Sequence, residues 1–106
     1  MFQWMKPLYV DDDLKETVLS IKNKFKFKKY PGSYYFIILP EGCDMPEIMR
    51  CIILKQPYYK KMNYNIIGVA ADKGSALDLL CDMIEDAIKL TGTVNIRQYY
   101  EAMNHQ

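Results

Sequence analysis

Leu14, Val18, Ile21 and Phe25 recur at steps of four, three and four residues, which describes one stripe of an amphipathic helix. Asp11, Asp12 and Asp13 stand just before it, where short acidic side chains suit a helix start, so a first helix is predicted over about 13–27. Its end is open. Lys24-Phe25-Lys26-Phe27-Lys28 alternates with the period of a strand, and Tyr30-Pro31-Gly32-Ser33 would serve as a hairpin turn; helix followed by loop is the preferred reading. Tyr34 to Leu39, closed by Pro40, is aromatic and β-branched with no polar alternation, which predicts a central strand covered on both faces. Residues 45–61 admit two readings. Asp44, Pro46 and Glu47 resemble a helix start, whereas Met45 to Ile53 would serve as a strand returning from Leu39. Pro57 disfavours one unbroken helix, since an interior proline costs about 3 kcal/mol. A short strand near 46–50 followed by a short helix from about 51 is preferred.

Tyr64 to Ala71 predicts a further strand, and Asp72-Lys73-Gly74 turns it into the strongest helix of the chain, about Ser75 to Thr91, stopped by Gly92. Asp72 or Ser75 is expected to cap this helix, with Gly74 making the turn. At 100° per residue its apolar positions, Ala76 to Leu90, cover an arc of roughly 200°, well beyond the stripe of about 100° of a surface helix. Such a helix is expected to bury two sides, one on the sheet and one on a neighbouring helix or a second copy of the chain. Val94 to Tyr100 reads as an edge strand or a helical turn, and residues 104–106 are expected to fray. The predicted class is α+β, or small α/β: two layers, a central sheet of about three strands, two long helices and a short one.

With 106 residues, 50% of them hydrophobic, and five Gly and five Pro, the chain has the composition of one globular domain over 1–106, with Met1 to Lys6 as an extra apolar-aromatic segment. The longest uninterrupted apolar run, Tyr34 to Leu39, is far below the roughly 20 residues that span a bilayer. Met1 to Val10 holds only Lys6 and is broken by Pro7, so a secretory leader is not expected. Cys43, Cys51 and Cys81 are odd in number and form no CxxC pair, which favours reduced thiols and a cytoplasmic location.

Gln56-Pro57-Tyr58-Tyr59-Lys60, Ile66-Ile67-Gly68-Val69-Ala70, the Ala76-Leu77 helix ending at Thr91-Gly92, and Asn95-Ile96-Arg97-Gln98-Tyr99 together give residues 33–100 a likeness to a known group. This stretch resembles a family of small uncharacterised proteins, about 100 residues long, of Gram-positive anaerobic bacteria. The resemblance implies an intracellular α/β domain and carries over no catalytic or binding residue. Met1 to Lys6, with Trp4, departs from it.

Familiar chemistries fit the chain poorly. A structural zinc site needs four N/S ligands, whereas the three cysteines are eight and thirty residues apart and His105, a tail residue, is the one histidine. Cys43 lies between Glu41 and Asp44, which disfavours a thiolate, although it would precede a helix if Asp44 were its cap; Cys51 and Cys81 read as small core hydrophobes. Gly68 to Ser75 has Lys-Gly-Ser where a phosphate-binding loop needs Gly-Lys-Ser/Thr. Asp78, Asp82 and Asp86 repeat at i,i+4 beside Glu85, an acidic face too straight to cage a hard cation; Glu85 and Lys89 are the one favourable pair there. No catalytic residue, cofactor or metal ligand is predicted.

The net charge is only +1, yet residues 15–61 hold ten basic and four acidic side chains and the remainder four basic and nine acidic. Lys24, Lys26, Lys28 and Lys29 interleave with Phe25, Phe27 and Tyr30, and Tyr58, Tyr59, Lys60 and Lys61 form a second cluster, the mixture that contacts phosphates and exposed bases. With 12 Lys and 2 Arg such contact would be nonspecific. The first expectation is a non-enzymatic protein-interaction domain, a homodimer or a partner of another protein, using Leu77, Cys81, Ile84 and Ile88. Nonspecific nucleic-acid binding through the two lysine clusters is the alternative.

Overall fold

The computed structural model describes residues 1–27, 29 and 33–104. Lys28, Tyr30, the expected Pro31-Gly32 turn and His105 lie outside the described residues. In chain order the elements are β1 (Phe2–Val10), α1 (Val18–Lys26), β2 (Tyr35–Pro40), β3 (Glu47–Arg50), α2 (Pro57–Lys60), β4 (Tyr64–Ala70), α3 (Lys73–Thr91) and α4 (Ile96–Asn104). Short 3₁₀ turns occupy Asp12–Leu14 and Cys51–Lys55. The α+β class holds, with a mixed sheet of four strands in the order β1-β4-β2-β3, one more than expected; β1 runs parallel to β4, and the other pairs are antiparallel.

Helices lie on both faces of the sheet rather than in a single layer, because the two inner strands carry apolar side chains on both sides. Phe36 and Ile38 of β2 join Ile66 and Val69 of β4 in a core with Ile21 and Phe25 of α1. Their alternates Ile37, Leu39, Ile67 and Ala70 pack with Ala76, Met83 and Ala87 of α3 and with Ile96, Tyr99 and Tyr100 of α4. The polar-free run in β2 is therefore what a strand needs when neither face meets water. Gly68 is the close approach in this sheet: a Cβ there would stand 2.8 Å from Ile37 Cδ1.

The strand over Met1 to Lys6 and beyond is the main departure from expectation. Phe2, Trp4, Leu8 and Val10 pack on the α1 side and Met5 and Tyr9 on the α3 side, so the alternation of a strand covered on both faces runs through β1. Lys6 and Pro7 interrupt it in sequence. They fall in a bulge where residues between Trp4 and Tyr9 oppose a single residue between Ile66 and Gly68.

The first helix is shorter than 13–27. Asp11 is pinned to the end of β4, its N–H donating to the Val69 carbonyl at 3.0 Å and its carboxylate accepting from the Ala71 N–H at 3.3 Å, and a 3₁₀ turn follows. Leu14 and Phe25 nevertheless share one core, so the stripe survives the break. The preferred strand near 46–50 is β3, and the short helix after it is a 3₁₀ turn followed by α2, which Pro57 opens at its first position. Since β3 follows Asp44, that residue caps no helix beside Cys43; its carbonyl accepts from the N–H groups of Ile96 and Arg97 at 3.0 and 3.2 Å.

Asp72 caps α3, accepting from the Ser75 N–H at 2.7 Å, and Gly92 ends it at φ +78°. The helix begins at Lys73, which places Gly74 in its first turn rather than before it. Val94 to Tyr100 is neither an edge strand nor a single turn. Asn95 accepts from the Gln98 N–H at 2.8 Å and opens α4, whose Ile96, Tyr99 and Tyr100 form one buried face; Asn104 belongs to this helix.

Candidate functional site

Three places in the fold combine exposure with chemistry. The first is the outer side of α3. The small or flexible residues Ala76, Met83 and Ala87 face the sheet, fully buried, and let the helix approach it closely. Elsewhere on the helix Leu77 and Ile88 are each 47% exposed and Cys81 is exposed, while Ile84, like Leu79 and Leu80, is half-buried against the core. Their spacing of four, three and four puts them on one stripe. Cys81 is thus not a core residue, unlike Cys51, which is completely buried. Glu85 and Lys89 beside the stripe do not close into an ion pair; the pair found among the described residues is Lys15 with Asp12, at 2.8 Å on the surface.

The second place is built from both lysine clusters. Helix α1 ends in Lys26 and α2 carries Tyr59 and Lys60, and these three residues line one cavity of about 240 Å³ with Phe2, Phe25 and Tyr64. Phe25 is buried on the core face of α1; Phe2 meets it edge-on at 4.6 Å and stacks against Tyr64 at 6.1 Å. Tyr59 is half-buried, and burial, followed by the nearby Glu47 and Tyr58, raises its phenol above the ordinary value. Tyr58 is 68% exposed and meets Tyr59 edge-on at 5.0 Å, while Phe27, next to Lys26, is 70% exposed. Lys24, Lys29 and Lys61 are exposed but do not line this cavity. Lys22 is turned back over the Trp4 ring at 5.2 Å, which leaves it a structural part.

The third place is polar. The Tyr9 hydroxyl donates to the Asp86 carboxylate, so the 2.8 Å contact between Tyr9 and Tyr99 has Tyr99 as donor. Burial and these bonds hold the Tyr9 phenol well above its usual pKa. Nearby, a cleft of about 640 Å³ lies between the end of β1 and the start of α3, lined by Asp11, Asp12, Lys15, Ser75, Asp78 and Asp82 among others. The acidic row seen in the sequence therefore divides: Asp86 binds tyrosine inside, and Asp78 and Asp82 face the cleft. Among the described residues no three His, Cys, Asp or Glu side chains are grouped to hold a metal ion.

Cys43 is exposed on the turn between β2 and β3, and its carbonyl accepts from Arg97 Nε at 2.6 Å while Arg97 Nη2 reaches the Pro40 carbonyl at 2.6 Å. Arg97 thus works as a clamp between α4 and this turn. Sequence patterning did not single out Phe2, Tyr64, Tyr9 or Tyr99; for the first and third of these the signal was masked by Lys6-Pro7, which interrupts the alternation of β1 at its bulge.

Comparison with protein-family models, curated proteins and solved structures returns no match. Among the described residues no helix is long and apolar enough to cross a membrane.

Proposed function

We propose that the chain is a non-enzymatic interaction domain that self-associates through the outer side of α3. The observation that carries this reading is the stripe Leu77, Cys81, Ile84, Ile88, which its own fold leaves partly uncovered although α3 is docked on the sheet and on α4. A second copy suits it because the stripe is self-complementary about a twofold axis. Antiparallel pairing about the midpoint of the stripe sets Leu77 against Ile88 and Cys81 against Ile84 of the other copy. The same pairing brings Lys89 beside Asp78 of the other copy, twice, so charge complements apolar contact. Leu77 to Ile88 spans about 17 Å of helix. Such a contact covers less than the roughly 800 Å² per partner of a standard interface, so the dimer is expected to be weak.

Light scattering and sedimentation over a micromolar concentration series test this. The wild-type chain is expected to shift from monomer to dimer, and Leu77→Asp with Ile88→Asp to stay monomeric with an unchanged melting curve, each change weakening association by on the order of 30-fold. Maleimide labelling gives a second readout. Cys43 and Cys81 react in dilute solution, whereas Cys51, its thiol pushed up to about 12 by burial, does not. On concentration Cys81 alone is expected to become protected. A wild-type chain that stays monomeric across the series, with Cys81 labelling independent of concentration, overturns the reading.

A further inference from the structure

We infer that the cavity between α1 and α2 is a slot for one unstacked base of single-stranded nucleic acid. Its inner wall is apolar and aromatic: Phe25, Leu54 and Tyr64 are buried there, and Phe2 and Tyr59 half-buried. Lys26 and Lys60 are the lining residues with charged side chains, and both are exposed, which sets them at the rim; Met1, whose ammonium donates to the Met62 carbonyl at 2.7 Å, lines it as well. A volume of about 240 Å³ is smaller than the roughly 300–1,000 Å³ that encloses a drug-sized ligand, so it admits a single planar ring system and leaves a sugar-phosphate backbone outside. The rim lysines then stand where that backbone runs, with no ion pair to either found among the described residues. Edge-on and stacked contacts fix the rings of Phe2, Phe25 and Tyr64 before any ligand arrives, which lowers the ordering cost of binding. Exposed Tyr58, beside the slot, offers a platform for a neighbouring base. A base paired and stacked within a duplex cannot enter, so the slot selects single strands.

The cavity draws on the core on the α1 face of the sheet and the α3 stripe lies over the other face, so this inference stands apart from self-association. The test is fluorescence anisotropy of the full chain with a labelled oligothymidine and a matched duplex at about 50 and 200 mM salt. Single-strand binding is expected, falling with salt, with the duplex weaker by about tenfold or more. Tyr59→Ala should lower single-strand affinity roughly 5- to 100-fold while Tyr59→Phe, which keeps the ring, stays near wild type. Lys26→Ala with Lys60→Ala alters only exposed side chains and should reduce the slope of log affinity against log salt by about 1.4, at roughly 0.7 per phosphate contact. No binding at the lower salt, equal affinity for the duplex, or an unchanged salt slope in the double lysine variant overturns the inference.

Discussion

Phe36→Ala is expected to lower stability by about 3–5 kcal/mol, the range for emptying a buried phenylalanine site. The ring is fully buried in β2 and meets Phe25 at 5.2 Å and Trp4 at 5.6 Å, both edge-on, so three elements lose a shared contact at once. Edge-to-face pairs are each worth roughly 0.5–1.5 kcal/mol beyond their buried area, and the cavity is walled by rings that cannot collapse into it without leaving their own rotamers. Against a total stability of about 5–15 kcal/mol this removes a large share, and a melting temperature lower by roughly 15–30 °C follows for a domain of this size. Phe27→Ala is the matched control. That side chain is 70% exposed, so its loss should change stability by no more than about 0.5 kcal/mol. Urea denaturation of the two variants checks both values; a Phe36→Ala protein within about 1 kcal/mol of wild type would mean that α1 and β1 do not close over β2 as described.

The same core shows why some elements were legible in the sequence and others were not. The strand at Tyr35–Pro40 and the helix ending at Gly92 rest on local signals: an uninterrupted apolar run in one case, an Asp72 cap and a left-handed glycine in the other. For β1 the pairing partner lies about sixty residues away, and Lys6-Pro7 breaks the alternation at the bulge, so its strand character depends on β4 being there to receive it. Helix α4 was hidden for a different reason. Its opening carries the β-branched Val94 and Ile96, and its helical state is decided by the Asn95 cap and by burial of Tyr99 and Tyr100 against the sheet. Periodicity marked Leu77, Cys81, Ile84 and Ile88 but not which part of the arc faces inward. The helix settles that by turning Ala76, Met83 and Ala87 to the sheet, where the two alanines permit close approach, and by leaving Leu77, Cys81 and Ile88 exposed, with Ile84 half-buried against the core. For the lysine clusters, Lys26, Tyr59 and Lys60 were each readable, whereas their meeting in one cavity depends on Phe2 and Tyr64 lying side by side on β1 and β4.

Raising the pH from 8 to 11 is expected to remove about 4 kcal/mol of stability, through groups that stay protonated when folded. Cys51 is completely buried, and its thiol is pushed from an ordinary value near 9 up to about 12. Tyr100, 3% exposed, donates to the Pro7 carbonyl at 2.6 Å; burial, then the nearby Tyr99 and Asp86, hold its phenol above the ordinary 10. Below pH 9 both groups are protonated in the folded and the unfolded chain, and neither makes stability depend on pH. Above 9 the unfolded chain releases the Cys51 proton while the folded one keeps it, so unfolding gains about 1.4 kcal/mol per pH unit; above 10 Tyr100 adds a similar slope. Two units for the thiol and one for the phenol give the total. Tyr9, whose phenol is raised in the same direction but is partly exposed, adds to the loss. Lysine deprotonation changes the net charge over the same range, and variants separate the two causes. Tyr100→Phe should cost about 1 kcal/mol at pH 8 through the missing hydrogen bond, yet lose less than wild type between pH 10 and 11 by one proton's worth of slope. Cys51→Ala should flatten the curve between pH 9 and 10 in the same way. Urea midpoints across the range read these slopes directly, and a wild-type midpoint that is level from pH 8 to 11 would show that Cys51 and Tyr100 are hydrated in the folded chain.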